Sequence, residues 1–327
     1  MKTFALALTA TAVTAFSDME FKFMNYIAKF GKVMENLEEF ETRLAHFIKS
    51  ETEIAAHNIS EANFKLGHNQ FSDRSHEEYS AMLGFVNLQD AKKNVVVLEE
   101  ANGPSEVNWV TAGAVTGVKN QGSCGSCWSF STTGSMEGAH YVASGELLSF
   151  SEQQLVDCAY GASYGSYGCN GGSMDGAMIY YETYNAELES VYPYTSGTNT
   201  SRKTCEYSAA SDTDVAVSTK ADVTADSISQ LMAAVAQQPV SIAIEADKRV
   251  FQSYTSGVLD STACGTNLDH GVLLVGYGTD EATGLDYWKV KNSWNTVWGD
   301  EGYIKIARVE GQGICGIQMA PVYPTSN

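Results

Sequence analysis

Gln121–Phe130 reads QGSCGSCWSF, and the rest of the chain is organised around it. The run Cys124-Gly125-Ser126-Cys127-Trp128 says more than a bare Cys-x-x-Cys. Gly122 to Gly125 forms a tight loop, and Ser126 to Tyr141 has helical spacing with few breakers. Cys127 therefore falls in the first turn of a helix, where unpaired amides and the macrodipole favour a thiolate. A nucleophilic thiol also needs a base, a group that orients the base, and donors for an oxyanion.

Two histidines follow Gly103. His140 lies thirteen residues along the same helix, which at about 100° per residue places it on the face opposite Cys127. His270 opens Leu268–Gly278 (LDHGVLLVGYG), a pattern that reads as the start of a buried strand. By elimination and by context, His270 is the base. Helical spacing dominates from about Trp109 to Cys205, with a helix start at Ser151. From about Val240 strands are expected at Ser241–Ala246, Gly271–Gly276, Tyr287–Ser293 and Tyr303–Ala307. A helical lobe followed by a β lobe puts Cys127 and His270 on opposite walls of a cleft.

The 327 residues are 44% hydrophobic, which is globular composition, and the net charge of -19 argues against nucleic acid and anionic membrane surfaces as partners. Met1 to Phe16 (MKTFALALTATAVTAF) reads as a secretory signal peptide cleaved after Ala15, because its apolar run falls short of the roughly 18 residues a membrane span needs. Passage into an oxidising compartment allows cysteines to pair, and an odd total of seven leaves one thiol free.

Ser17 to Glu100 contains no cysteine and reads as helical. Phe23, Tyr26, Ile27 and Phe30 recur at helical steps, and a second helix is expected from about Glu35 to Asn58. Along it Glu39, Arg43, Phe47, Ile54 and Asn58 form one slowly drifting stripe, with Glu39 placed to pair with Arg43. Gly67, Asn69, Phe71 and Asp73 then alternate along the chain. Val95–Leu98 reads as a strand and Glu99–Ser105 as an exposed linker. Ser17 to Ala101 carries 9 Lys+Arg against 15 Asp+Glu, and the chain from Asn102 carries 10 against 24. Both parts are acidic, so apolar contacts and local pairs must hold them together.

These motifs together resemble the papain-like cysteine proteases, and the preproenzymes of cathepsin L-like members in particular. The resemblance runs from Glu39 to the C-terminus. The helical stripe is similar to the first propeptide motif of that family, with Ser50 standing where the family has Asn, which implies one weakened polar contact. Gly67-x-Asn69-x-Phe71-x-Asp73 is similar to the second. The spacing from Cys127 to His270 and the run Lys291-Asn292-Ser293-Trp294 also fit.

The resemblance implies an α+β, papain-like two-lobe fold, with a helical left lobe, a β-barrel-like right lobe and an N-terminal helical inhibitory prodomain. The implied segments are 1–15 (signal peptide), 16–101 (propeptide) and 102–327 (mature peptidase). Within the last, the helical lobe spans about 102–212 and the β lobe about 213–327. Maturation is expected between about Leu98 and Ser105. Asn292 would hold the His270 ring, and Trp294 would shield that bond. Gln121 and the Cys127 backbone amide would form the oxyanion hole. Cys124 would pair with Cys169, Cys158 with Cys205 and Cys264 with Cys315, leaving Cys127 free. A redox use of Cys124 with Cys127 would strand Cys169.

Gly171 and Gly172 would bind an extended peptide, and Met174, Ala243, Leu268 and Ala320 would line an apolar P2 pocket. The resting pair would be thiolate and imidazolium. No histidine lies between Tyr141 and Asp269, so an occluding loop of the cathepsin B type is absent and endopeptidase activity is favoured. The implied enzyme needs no metal or cofactor and is a monomer activated by acid. Its partners would be protein or peptide substrates, its own propeptide and cystatin-type inhibitors, in a lysosome, an acidic digestive vacuole or the extracellular space.

Overall fold

The computed structural model describes residues 17–60, 62–88, 94–99 and 104–325; the expected signal peptide and residues 100–103 of the expected maturation region lie outside them. The prosegment opens with α1 (Asp18–Phe30), started by a capping box between Ser17 and Glu20 and stopped at Gly31, whose φ of 61° suits glycine. α2 (Leu37–Ile59) follows an Asn36 cap. Phe23, Tyr26 and Phe47 close a small core between these helices. β1 (Phe64–Leu66), α3 (His76–Ser80) and β2 (Val95–Val96) complete the prosegment.

The remainder begins with β3 (Val107–Asn108), then α4 (Cys127–Ser144), α5 (Glu152–Cys158), α6 (Met174–Tyr181) and α7 (Ser196–Asn199). After these come β4 (Thr219–Val223), α8 (Ile228–Val235), β5 (Val240–Ile244), α9 (Arg249–Gln252), β6 (Tyr254–Leu259), β7 (His270–Thr279), β8 (Asp286–Lys291), β9 (Tyr303–Ala307) and β10 (Val322–Thr325). The sheet order is β1-β6-β9-β8-β7-β5-β10-β4-β2, with β3 also on β7. Thus the prosegment adds a strand at each end, antiparallel to β6 and parallel to β4. The two end strands do not pair with each other, so the β lobe is an open path among the described residues.

Two apolar cores underlie the lobes. One fills the sheet and α8, around Leu231, Val272, Trp288 and Ile304, and the other lies among α4, α5 and α6, around Trp128, Leu155 and Met178. Two segments lie across from where a cut near residue 212 puts them. β3 pairs with β7, and Trp109 Nε1 donates to the Val235 carbonyl at 2.7 Å, so the start of the mature chain belongs with the sheet. Conversely, Val322 of β10 packs into the helical core. Each end straps one lobe to the other because its backbone groups need sheet partners.

The disulfides are Cys124–Cys169, Cys158–Cys205 and Cys264–Cys315, and Cys127 is free. Beneath the lobe boundary Lys119 lies between Glu137 (3.0 Å) and Glu152 (2.7 Å), an ion cluster that sequence reading passed over. Lys291 reaches the same cluster through Thr116 Oγ1 at 3.0 Å.

The prosegment motifs find their reasons here. Arg43 lies 3.8 Å from Glu39 as spaced, but its main partner is Glu78, met by two hydrogen bonds of 2.5 and 2.7 Å. Fully buried Ser50 donates to the Ser72 carbonyl at 2.7 Å, so the departure from Asn still leaves a polar contact. Asn69 donates to Gln252 O at 2.6 Å, and Asp73 accepts from Tyr26 (2.9 Å) and Lys32 (2.7 Å). Gly67 passes so near Thr255 that a Cβ would lie 2.8 Å from its methyl group.

Candidate active site

Cys127 is the first residue of α4, and Ser126 makes no side-chain cap; its carbonyl instead accepts the Ser129 amide at 2.8 Å. His270 is the first residue of β7. The two elements bring Cys127 Sγ within 3.3 Å of the amide of Gly271, which donates to it. A Cβ on Gly271 would meet Met174 Sδ at 3.0 Å and Trp128 Cα at 3.3 Å, so glycine permits this approach. His140, by contrast, sits at the rim of α4 beside Ser144.

His270 Nε2 lies 2.9 Å from Asn292 Oδ1. The same oxygen accepts the Ser293 amide at 2.8 Å, which fixes it as oxygen rather than NH2. Nε2 must then be the donor, and Nδ1, which has no hydrogen-bond partner, carries the lone pair. Trp294 stacks on the imidazole with ring centroids 4.6 Å apart and excludes water from the His270–Asn292 bond. Gln121 is fully buried, with Oε1 accepting from Ser293 Oγ (2.7 Å) and Trp294 Nε1 (3.1 Å). Its Nε2 therefore points into the cleft. The expected residues Cys127, His270, Asn292, Trp294 and Gln121 thus converge.

The prosegment fills this site. Gln121 Nε2 donates to the Met82 carbonyl at 2.9 Å and to Cys124 O at 2.8 Å. From there the chain runs past Gly172. Gly172 N donates to Gly84 O and Val86 N donates to Gly172 O, each at 2.8 Å, and Phe85 pairs with Gly172 in parallel. A Cβ on Gly84 would fall 1.9 Å from Gly125 O, and one on Gly171 would fall 3.2 Å from Val86. Phe85 packs against the cluster that holds buried Met174 and Ala243, as do Leu268 and Ala320. Sequence reading missed Met82, Gly84 and Phe85; a glycine inside the apolar run Met82–Val86 was the signal of a close backbone approach.

Covered in this way, the pair is electrically quiet. Burial pushes the Cys127 thiol up to about 11, although the Gly271 and Gly84 amides pull the other way. Burial also lowers His270 to about 4, with only the Asn292 bond opposing it. Burial therefore disfavours the charged form of each group while the prosegment is docked, because neither charge can be solvated. Burial lowers Lys291, next to Asn292, to about 8. No cluster of metal-ligating side chains occurs among the described residues, and no described helix is long and apolar enough to cross a membrane.

Residues 103–325 match the papain family cysteine protease profile, and residues 23–79 match the cathepsin propeptide inhibitor domain (I29). The chain belongs to the papain family of cysteine proteases. Among papain-family relatives, digestive cysteine proteinase 1 of Homarus americanus is 41% identical, over 99% of this chain and 100% of its own. Cathepsin L of Sarcophaga peregrina is 39% identical, over 98% and 97%. The solved structure of digestive procathepsin L 3 from Tenebrio molitor larval midgut superposes with a TM-score of 0.84 at 36% identity, covering 94% of this chain and 99% of that one. The protein is a cathepsin L-like cysteine protease zymogen whose propeptide domain acts as an intramolecular inhibitor.

Proposed function

We propose that the processed enzyme is an endopeptidase in which Cys127 is the nucleophile, His270 the proton carrier, Asn292 the orienter and Gln121 an oxyanion donor. The observation that carries this reading is the Met82 carbonyl hydrogen-bonded to Gln121 Nε2. With the prosegment gone, water reaches the cleft and the proton moves from Cys127 to His270. The thiolate adds to the scissile carbonyl, and its oxygen takes the negative charge beside Gln121 Nε2. His270 gives its proton to the leaving amine as the C–N bond breaks. Water, deprotonated by His270, then releases the acyl group and restores the thiol.

A substrate with its carbonyl at Gln121 and its preceding residue at Gly171–Gly172 runs opposite to the prosegment, which explains why the bound prosegment is not cut. Phe85 models the occupant of the P2 pocket, so Met174, Ala243, Leu268 and Ala320 select Leu, Phe or similar side chains. Processing at about residues 98–105 separates the propeptide, 16–101, from the peptidase, 102–327, and acid promotes it. The prosegment is held by pairs such as Arg249 Nε with Glu53 (2.7 Å) and Asn63 with Asp260 (2.6 Å). The three disulfides suit the oxidising secretory pathway, leading to a lysosome, digestive vacuole or secretion. The enzyme works as a monomer open to cystatin-type inhibitors.

The test is hydrolysis of P2-Phe and P2-Arg peptide substrates by acid-treated protein, with and without a thiol-directed epoxide. Epoxide-sensitive cleavage that favours P2-Phe supports the reading; comparable cleavage of both would sink the pocket assignment. A correctly processed but inactive protein would point to a silent peptide-binding relative.

A further inference from the structure

The prosegment stretch Asn94–Leu98 (NVVVL) docks far from the thiol. It lies beyond β4, four strand spacings from β7, or about 19 Å along the sheet. Val95 and Val96 pair in parallel with Asp222 and Val223. Asp222 N donates to Asn94 O at 2.9 Å, Asn94 N donates to Asp222 Oδ2 at 2.6 Å, and Asn94 Nδ2 donates to Lys220 O at 2.9 Å. Two turns of pleat further on, the Gln230 side chain imitates a strand residue: Leu98 N donates to its Oε1 at 2.8 Å, and its Nε2 donates to Leu98 O at 2.9 Å. Val96 and Leu98 pack on the sheet core beside Ile228 and Met232, whereas Val95 and Val97 are 53% and 79% exposed.

Most of these polar contacts address backbone groups, so they fit any extended peptide with apolar residues at alternate positions. Once the prosegment leaves, β4 is an unpaired edge and Gln230 loses its partner, which is the setting for strand addition. In the zymogen a groove of 410 Å³ beside this edge is lined by Asp175, Asp222 and Ala320 together with Asn87, Leu88 and Val95 of the prosegment itself.

We propose that β4 and Gln230 form a second peptide-binding site in the processed enzyme, taking the strand of a protein substrate that lies upstream of its scissile bond. The inference rests on the proposed function. Because a substrate runs opposite to the prosegment, its strand pairs antiparallel with β4. The site adds affinity for extended or unfolded proteins that short peptides do not feel.

The experiment compares acid-processed wild type and Gln230→Ala on two substrates with the same cleavage sequence. One is a short fluorogenic peptide, and the other extends about fifteen residues upstream with alternating valines, enough at ~3.3 Å per residue to reach β4. Among the described residues the Gln230 side chain bonds only to Leu98, so the variant is expected to fold, and its rate on the short substrate verifies this. The expected result is a loss of kcat/KM of about fivefold or more on the long substrate, carried by KM. A peptide of residues 92–99 should inhibit long-substrate cleavage alone. Equal rates of variant and wild type on the long substrate, or inhibition of both substrates by the peptide, would overturn the proposal. Failure of wild type to cut the short substrate would instead refute the proposed function beneath it.

Discussion

Cys127 and His270 are each fully buried in the zymogen, and burial is the largest influence on the charge state of both. A thiol pushed up to about 11 is almost entirely protonated at neutral pH, so alkylation of Cys127 should be slow until the prosegment is removed. Mass spectrometry after iodoacetamide treatment at neutral pH should show little label in the zymogen and complete label after processing. Equal labelling of both forms would contradict this. At Gln121 the expected effect is on chemistry. Gln121→Ala in processed enzyme should lower kcat by about 10²–10³ with a small change in KM, as for loss of one oxyanion donor. An unchanged kcat would remove Gln121 from that role. These residues were legible in the sequence because thiol chemistry demands specific side chains in a fixed chain order. Met82 and Gly84 were not, since they act through backbone carbonyl and space, which leave almost no trace in residue type.

At the scale of elements, the prosegment threads one glycine, Gly84, tightly past the backbone of Gly125. Any Cβ at Gly84 would fall 1.9 Å from Gly125 O, a backbone atom that cannot swing aside. Gly84→Val should therefore displace the segment Met82–Val86 while α1 and α2 stay folded on their own core. The unprocessed variant should bind a thiol-directed epoxide at neutral pH, where the unaltered zymogen does not. Protection equal to that of the unaltered zymogen would show that the prosegment takes another path. Helices α1 and α2 were visible in advance from their apolar period. Strand β2 was legible in the apolar run Val95–Leu98, whereas β1 was not, because a strand of three residues exists only through its partner, and that partner, β6, lies more than a hundred residues away.

At the scale of the whole molecule, one buried carboxyl ties stability to pH. Glu189 faces Glu152 across the helical lobe, with Lys119 near both; burial first, and then Glu152, push its carboxyl up to about 7. Its other oxygen accepts the Tyr194 amide at 2.8 Å, and the Tyr194 hydroxyl donates to Gln121 O at 2.9 Å, so this pair supports the loop before Cys127. A carboxyl raised in the folded state stabilises the fold fully below its ordinary value of 4.5, and that contribution is lost as pH rises to about 7. The melting temperature of processed enzyme should fall between about pH 5 and pH 8, and Glu189→Gln should flatten the fall. An identical slope in the variant would assign the pH dependence elsewhere. This network escaped the sequence because Lys119, Glu137, Glu152 and Glu189 lie scattered along the chain and look like surface charges until folding buries them.

The account stands or falls on one thiol. Acid-processed wild type and Cys127→Ala, the latter processed in trans, should be compared for hydrolysis of a P2-Phe peptide. The account predicts robust, epoxide-sensitive cleavage by the former and none by the latter, with the epoxide covalently bound to Cys127. Cleavage that survives Cys127→Ala would contradict it.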